Sequence, residues 1–173
     1  FVLELKQPLI RDIELNKLRD EVNQSEIVQI TNLSFTHKST VIMLKNSSPH
    51  SRKEYRATIQ LSHELDPENL AKLRKLGEEP IVLQQQTPIR VSHRRADKIR
   101  EKTIYLFDIV EVNSDLNTIT LLIEAQGGAY IKEFISGDDG RTKPSISKFL
   151  KQPVECVALD VIKVDDKGLF NLV

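Results

Sequence analysis

This chain has a single cysteine, no net charge and no long apolar run, and each shortage removes a class of function. One cysteine and four scattered histidines have no metal-ligand spacing, which excludes a Cys-rich zinc site. Cys156, flanked by Val154, Val157 and Leu159, is expected to be a buried core thiol in a reducing compartment. Basic and acidic residues balance at 25 each, so no global positive field advertises nucleic acid. A local basic stripe remains the one electrostatic route to phosphates. No apolar run approaches the roughly 20 residues of a membrane span, and no signal peptide is visible. A soluble, cytoplasmic, monomeric protein is the expectation. There is also no internal repeat, no low-complexity tract and no initiator methionine. The chain opens on Phe1, and we expect it to begin within a domain. Its 173 residues suffice for one hydrophobic core, or for two small lobes sharing a sheet.

What is present reads as interspersed strands and helices. Phe1 to Leu5 alternates with the period of a half-buried strand. Asp12 to Asn23 has Ile13, Leu18 and Val22 near helical spacing, and Ile27 to Phe35 is rich enough in β-branched residues for a strand. Thr40 to Lys45 is read as a short helix and Asn46 to Arg52, with Pro49, as a loop. Lys53 to Leu61 is a strand carrying Tyr55, Ala57 and Ile59 on one face. Pro67 to Leu76 is the best-marked helix: Asp66 at the N-cap, Pro67 at the first helical position, Gly77 at the stop. Pro80 to Gln84 is a short strand, and Gln84 to Thr87 (overlapping its end) reads as a polar loop with no further message. Lys102 to Val112 and Thr118 to Ala125 form a hairpin across Asn113, Ser114 and Asp115. Helices over Tyr130 to Ser136, closed by Gly137, and Ser145 to Lys151 precede a last strand, Val154 to Val164. The pattern predicts an α+β fold with a mixed, mostly antiparallel sheet flanked by helices.

Three constellations could carry chemistry, and each has a plain structural reading beside it. Arg90, His93, Arg94, Arg95, Lys98, Arg100 and Lys102 crowd one segment. They either neutralise phosphates without reading sequence or form a solvated connector. Tyr55, within Ser-Arg-Lys-Glu-Tyr-Arg, is either half-buried packing or a platform on which a base stacks. The stretch Gly127 to Pro144, GGAYIKEFISGDDGRTKP, is expected to bring Tyr130, Lys132 and Arg141 within reach of one another. Its paired glycines permit positive φ or close backbone approach. Lys132 either forms a partly buried pair with a carboxylate or snorkels to solvent. Asp138 and Asp139 suit capping or loop structure better than a carboxylate dyad. Arg141 and Lys143 would make a phosphate-contacting loop.

TPIRVSHRRAD (Thr87 to Asp97) followed by AQGGAYIKEFISGDDGRTKPSIS (Ala125 to Ser147) resembles the archaeal and eukaryotic tRNA pseudouridine synthase that acts on the TΨC loop. KEYRA at Lys53 to Ala57, LDV at Leu159 to Val161 and the opening FVLEL fit the same pattern, so the likeness spans nearly the whole chain. It implies a synthase-like catalytic fold, tRNA as partner and a reaction without cofactor or metal. Tyr55 resembles the family's active-site tyrosine, which stacks on the flipped uracil and assists proton removal. Lys132 resembles the basic residue that pairs with the catalytic aspartate, Tyr130 a pocket-wall aromatic, and Leu159 a hydrophobic lining residue. The basic run with Arg90, Arg94 and Arg95 would grip RNA, together with Arg141 and Lys143. The family's aspartate lies just upstream of the Phe-Val-Leu-Glu strand, a segment that residues 1–173 do not contain. The resemblance therefore implies the C-terminal portion of a catalytic domain. Whether that aspartate acts as nucleophile or base stays open, and so does the alternative of a non-catalytic RNA-binding protein on a degenerate synthase fold.

Overall fold

The computed structural model describes residues 2–47 and 51–165. It falls into two compact units, Phe1–Asn46 and Ser47–Val173. The first unit is mostly irregular. Helix α1 spans Leu15–Val22 and buries no residue; α2 spans Lys38–Ser47, close to the expected short helix. The strands expected over Phe1 to Leu5 and Ile27 to Phe35 are not formed. Phe1 lies outside the described residues, while Val2 to Leu5 and Ile27 to Phe35 are irregular. Leu3, Leu5, Ile27 and Phe35 are all largely exposed. Alternation and β-propensity describe a surface that fits a sheet, and without a paired neighbour they do not make one. A side-chain amide does the local work instead: Asn23 Nδ2 donates to Ile30 O and Ile30 N donates to Asn23 Oδ1. The expected loop over Asn46 to Arg52 lies partly outside the described residues, at 48–50.

The second unit is built on a six-stranded sheet in the order β5-β2-β3-β4-β1-β6. The strands are β1 (Arg52–Leu61), β2 (Ile81–Gln86), β3 (Ile99–Asn113), β4 (Thr118–Gln126), β5 (Thr142–Lys143) and β6 (Val154–Asp165). All five pairings are antiparallel, so the fold is α+β as expected and the sheet is not mixed. On β1, Tyr55, Ala57, Ile59 and Leu61 turn inward and are buried. The first three meet Ile123, Leu121 and Ile119 of β4 in register. Each fully buried isoleucine or leucine here, such as Ile59, Ile119, Leu121 and Ile123, contributes about 1.5–3 kcal/mol over an exposed one.

Helices close this inward face. Helix α3 (Pro67–Leu76) matches its expected bounds: Asp66 accepts from Asn69 N, and Leu73 is fully buried. Gly77 ends it for a reason composition did not supply. Its φ is an ordinary −86°, but a Cβ there would sit 2.0 Å from Phe107 O. The helix runs into the back of β3, and only glycine fits. Helix α5 (Ile131–Ser136) buries Ile131, Phe134 and Ile135, with Phe134 edge-on to Phe107 at 6.1 Å. Gly137, at φ 88°, stops it as expected. Helix α4 (Ile89–Ser92) is a single turn, and α6 (Ile146–Leu150) is capped by Ser145. Cys156 is only half-buried, because β6 lies at the sheet's end and faces solvent along much of its length. Burial still pushes its thiol pKa up.

Candidate active site

Register brings the first two site residues together. Tyr55 and Ala57 are successive inward residues of β1, and Leu159 of β6 stands opposite Ala57. Directly paired residues project to the same face, so Leu159 stands beside Tyr55. The β1–β6 register shifts between Glu54 and Tyr55 and again between Thr58 and Ile59. These bulges bend the edge strand on either side of the pair, a common device beside functional sites.

The start of α5 supplies the opposite wall. Tyr55, Arg90, Ala129, Tyr130, Ile131, Lys132 and Leu159 line one cleft of about 220 Å³. At roughly 30 Å³ per water, it holds about seven waters, room for one flat ring and part of its attachment. Tyr55 is 8% exposed, and burial raises its phenol above 10.0. The hydroxyl therefore stays protonated across the physiological range, a hydrogen-bonding group and an apolar ring rather than a phenolate.

Arg90 enters from α4. Its Nε donates to Glu133 Oε1 at 2.6 Å, with Nη2 on Oε2 at 3.4 Å. The Glu133 side chain is 5% exposed against 54% for Arg90. The carboxylate thus anchors the inner edge of a guanidinium whose outer part faces the cleft. The same guanidinium lies 5.8 Å from the Tyr130 ring centroid. From the outer side, Arg95 Nη1 donates to Tyr130 Oη at 2.9 Å, so two arginines fix that ring.

Lys132 follows the solvent-facing one of its two readings. It is exposed rather than partly buried, because it takes the solvent-facing position of α5 between the buried Ile131 and Glu133. It still reaches the cleft that Tyr55 lines. None of the lining residues is an acid, since Glu133 is committed to Arg90.

The loop residues divide. Arg141 does not join Tyr130 and Lys132. Its Nε and Nη2 donate to Thr87 O at 3.0 and 2.8 Å, and Nη2 also reaches Asp97 Oδ1 at 2.6 Å. It is committed to internal bonds, with its side chain 24% exposed. Lys143 lies in β5 opposite Gln84 and is exposed, away from the cleft. Asp138 accepts from Ile89 N at 3.0 Å, satisfying a free amide of α4; the expected capping role holds, and no carboxylate dyad forms.

The basic run is not a continuous stripe. Arg90 turns inward to Glu133, Arg100 Nη1 donates to Thr87 Oγ1, and Lys102 Nζ donates to Gly127 O at 2.7 Å. Desolvation, with Arg100 nearby, lowers the Lys102 pKa. His93, Arg94, Arg95 and Lys98 remain on the surface.

The segment read as an uninformative polar loop is structural. Gln84 to Gln86 belongs to β2. Gln85 is 1% exposed and Thr87 fully buried. Gln85 Nε2 donates to Tyr130 O at 3.0 Å, and Tyr130 N donates to Gln85 Oε1 at 2.9 Å. Thr87 Oγ1 donates to Ala96 O and accepts from Lys98 N, tying both ends of the basic loop. The available signal was the alternation Ile81, Leu83, Gln85, which carries a polar residue into the inward register. Among the described residues, no cluster of three or more His, Cys, Asp or Glu side chains is arranged for a metal.

Residues 1–165 match the family model described as Pus10, C-terminal. The tRNA pseudouridine synthase Pus10 of Methanocaldococcus jannaschii is 44% identical over 171 residues, covering 99% of this chain and 37% of that protein. Its namesake from Methanothermobacter marburgensis is 43% identical over 168 residues, covering 96% and 40%. The chain thus spans about two fifths of the length of these curated relatives. Among solved structures, a chain of a Cbf5-Nop10-Gar1 complex is similar over 62% of this chain and 29% of its own, at TM-score 0.48 and 20% identity.

Proposed function

The chain belongs to the family described as Pus10, C-terminal, and from that membership we propose that it is the C-terminal portion of the catalytic domain of a tRNA pseudouridine synthase. Its target is a uridine of the TΨC loop. It works in the cytoplasm as a monomer and without a cofactor. Among the described residues, no helix is long and apolar enough to cross a membrane.

One observation carries this reading: Tyr55 of β1, Arg90 of α4, Lys132 of α5 and Leu159 of β6 line a single cleft with Tyr130, the residue that caps α5. The target uridine leaves its stack, because the glycosidic bond is out of reach in a folded arm. Its base lies against the Tyr55 ring, with Leu159 beside it, and stacking of this kind contributes about 1–3 kcal/mol. Arg90, held by Glu133, presents the remaining edge of its guanidinium to the phosphate. An acid then assists cleavage of the bond from ribose C1′ to uracil N1. The base turns, the C1′–C5 bond forms, the C5 proton is lost and N1 gains one, so no atom enters or leaves overall. The detached base has to be kept from solvent between the two bonds. With its pKa raised by burial, the Tyr55 hydroxyl is poorly suited to act as a base, which supports stacking as its main role.

The acid is not supplied by the cleft's own lining. Lys132, which lines the cleft, is the group to pair with a carboxylate brought in from elsewhere in the longer protein. A lining without an acid also fits the second reading, a non-catalytic RNA-binding module. Incubating the full-length protein with unmodified tRNA and mapping pseudouridine by carbodiimide labelling separates the two. Product at a TΨC-loop uridine, lost in Tyr55→Ala, supports the synthase. Tight tRNA binding with no product at any uridine supports the binding module.

A further inference from the structure

Strand β2 turns Ile81, Leu83 and Gln85 inward. The third is an amide where the first two are aliphatic, and at 1% exposure it must find its partners inside the protein. It finds two of them on one residue, and Nε2 has a longer bond to Thr142 Oγ1 at 3.5 Å. Nε2 donates to Tyr130 O while Tyr130 N donates to Oε1, so the side chain pairs with main chain as a neighbouring strand would. Tyr130 is the N-cap of α5, where its own side chain makes no capping bond. Its N–H precedes the helix and has no partner within it. Helix α5 has only six residues, too few to set its own position by helical bonding. Lys132 stands in its first turn, and the Tyr130 ring projects from its first end. Gln85 itself does not line the cleft.

We infer that Gln85 is a positioning residue, resting on the functional reading above: by clamping both main-chain groups of Tyr130 it sets where Tyr130 and Lys132 stand relative to Tyr55. The same short segment of chain holds the ring's far end. Thr87, two residues on, ties the loop that carries Arg95, and Arg95 bonds the Tyr130 hydroxyl. One face of the cleft is therefore located from β2, through the peptide at one end of Tyr130 and the hydroxyl at the other.

The test uses the full-length protein with tRNA. Gln85→Leu keeps most of the side chain's bulk and removes both bonds to Tyr130, along with the longer one to Thr142. The expected result is a fall in kcat of about 100-fold, the scale of a 1 Å misplacement, with KM for tRNA within about threefold, since no substrate contact is removed. The Tyr130 amide should be protected from hydrogen exchange in the parent and lose that protection in the variant, while the Ile59 and Phe134 amides keep theirs. Gln85→Glu is the conservative comparison. Its ionised carboxylate accepts from Tyr130 N and repels Tyr130 O, whereas the protonated form restores both bonds. Its kcat relative to the parent should therefore rise as pH falls through the carboxyl's titration. An unchanged kcat in Gln85→Leu, or a Tyr130 amide that stays protected there, overturns the inference. Should Gln85→Leu fail to fold, a Gln85→Glu pH profile parallel to the parent's overturns it as well. A parent protein that forms no pseudouridine defeats the functional reading instead, and the clamp then stands or falls on exchange at Tyr130.

Discussion

Tyr55 combines two properties that seldom coincide: it is nearly enclosed, and it faces the cleft that also collects Arg90 and Lys132. In the full-length protein, Tyr55→Ala should lower pseudouridine formation by at least about 100-fold, while tRNA affinity falls by no more than one stacked base is worth. Tyr55→Phe keeps the ring and should retain activity within about tenfold, read by tritium release. The hydroxyl has a separate signature in stability. Its folded pKa lies above the 10.0 of the free side chain, so the folded state holds the proton more tightly. That contribution is fully present below pH 10.0 and is lost as pH rises through the raised value. Urea midpoints measured from about pH 9 to 11 should fall, and Tyr55→Phe should flatten that fall. Lys132 is tested by a different split. Lys132→Met should lower kcat with little change in tRNA affinity, and Lys132→Arg should recover part of it. If the lysine holds a carboxylate ionised, its loss should move the acidic limb of the rate profile upward by about 1–3 pH units. An acidic limb that does not move in Lys132→Met argues against the pairing.

At the scale of elements, the junction of α3 with β3 is the least forgiving contact. A methyl group on Gly77 would meet the Phe107 carbonyl oxygen at 2.0 Å, and main chain cannot rotate away as a side chain does. Gly77→Ala should therefore cost about 3 kcal/mol, the upper end of ordinary overpacking, seen as a lowered urea midpoint with an unchanged slope. A variant as stable as the parent would mean that α3 can lift off β3. The Arg90–Glu133 pair binds α4 to α5 in the same manner. Glu133 is buried while Arg90 is half-open, so removing the arginine strands a carboxylate inside, and the reverse substitution leaves only an exposed cation.

For the whole molecule, balanced charge means that any affinity for tRNA comes from where the cations stand. His93, Arg94, Arg95 and Lys98 share one surface loop, while Arg90, Arg100 and Lys102 are drawn into internal bonds. Replacing Arg94 and Arg95 with alanine should weaken tRNA binding and flatten log affinity against log salt by about 0.7–0.9 for each phosphate no longer neutralised. Arg94→Ala alone isolates the electrostatic part, because Arg95 also holds the Tyr130 hydroxyl. A slope unchanged in the double variant would make the loop a solvated connector.

Local chemistry was legible in the residues themselves. Asp66, Pro67 and Gly77 bracket α3 because caps and turns depend on neighbours in sequence. The strands of the second unit were readable because burial on one face imposes alternation. The family likeness singled out Tyr55, Tyr130, Lys132 and Leu159, and these four line one cleft. Alternation misled at Val2 to Leu5 and β-branched content at Ile27 to Phe35, where no partner strand exists among the described residues to make the pattern a sheet. Only tertiary structure decided how the charges were used. Arg141 and Lys143 looked equivalent to Arg94 and Arg95 in sequence, yet a carbonyl and a carboxylate capture the first and strand pairing carries the second away. Gln85 looked like one of three alike glutamines. Its distance of 45 positions from Tyr130 is closed by the sheet, and a hydrogen bond between residues so far apart leaves no periodic trace in the chain that makes it.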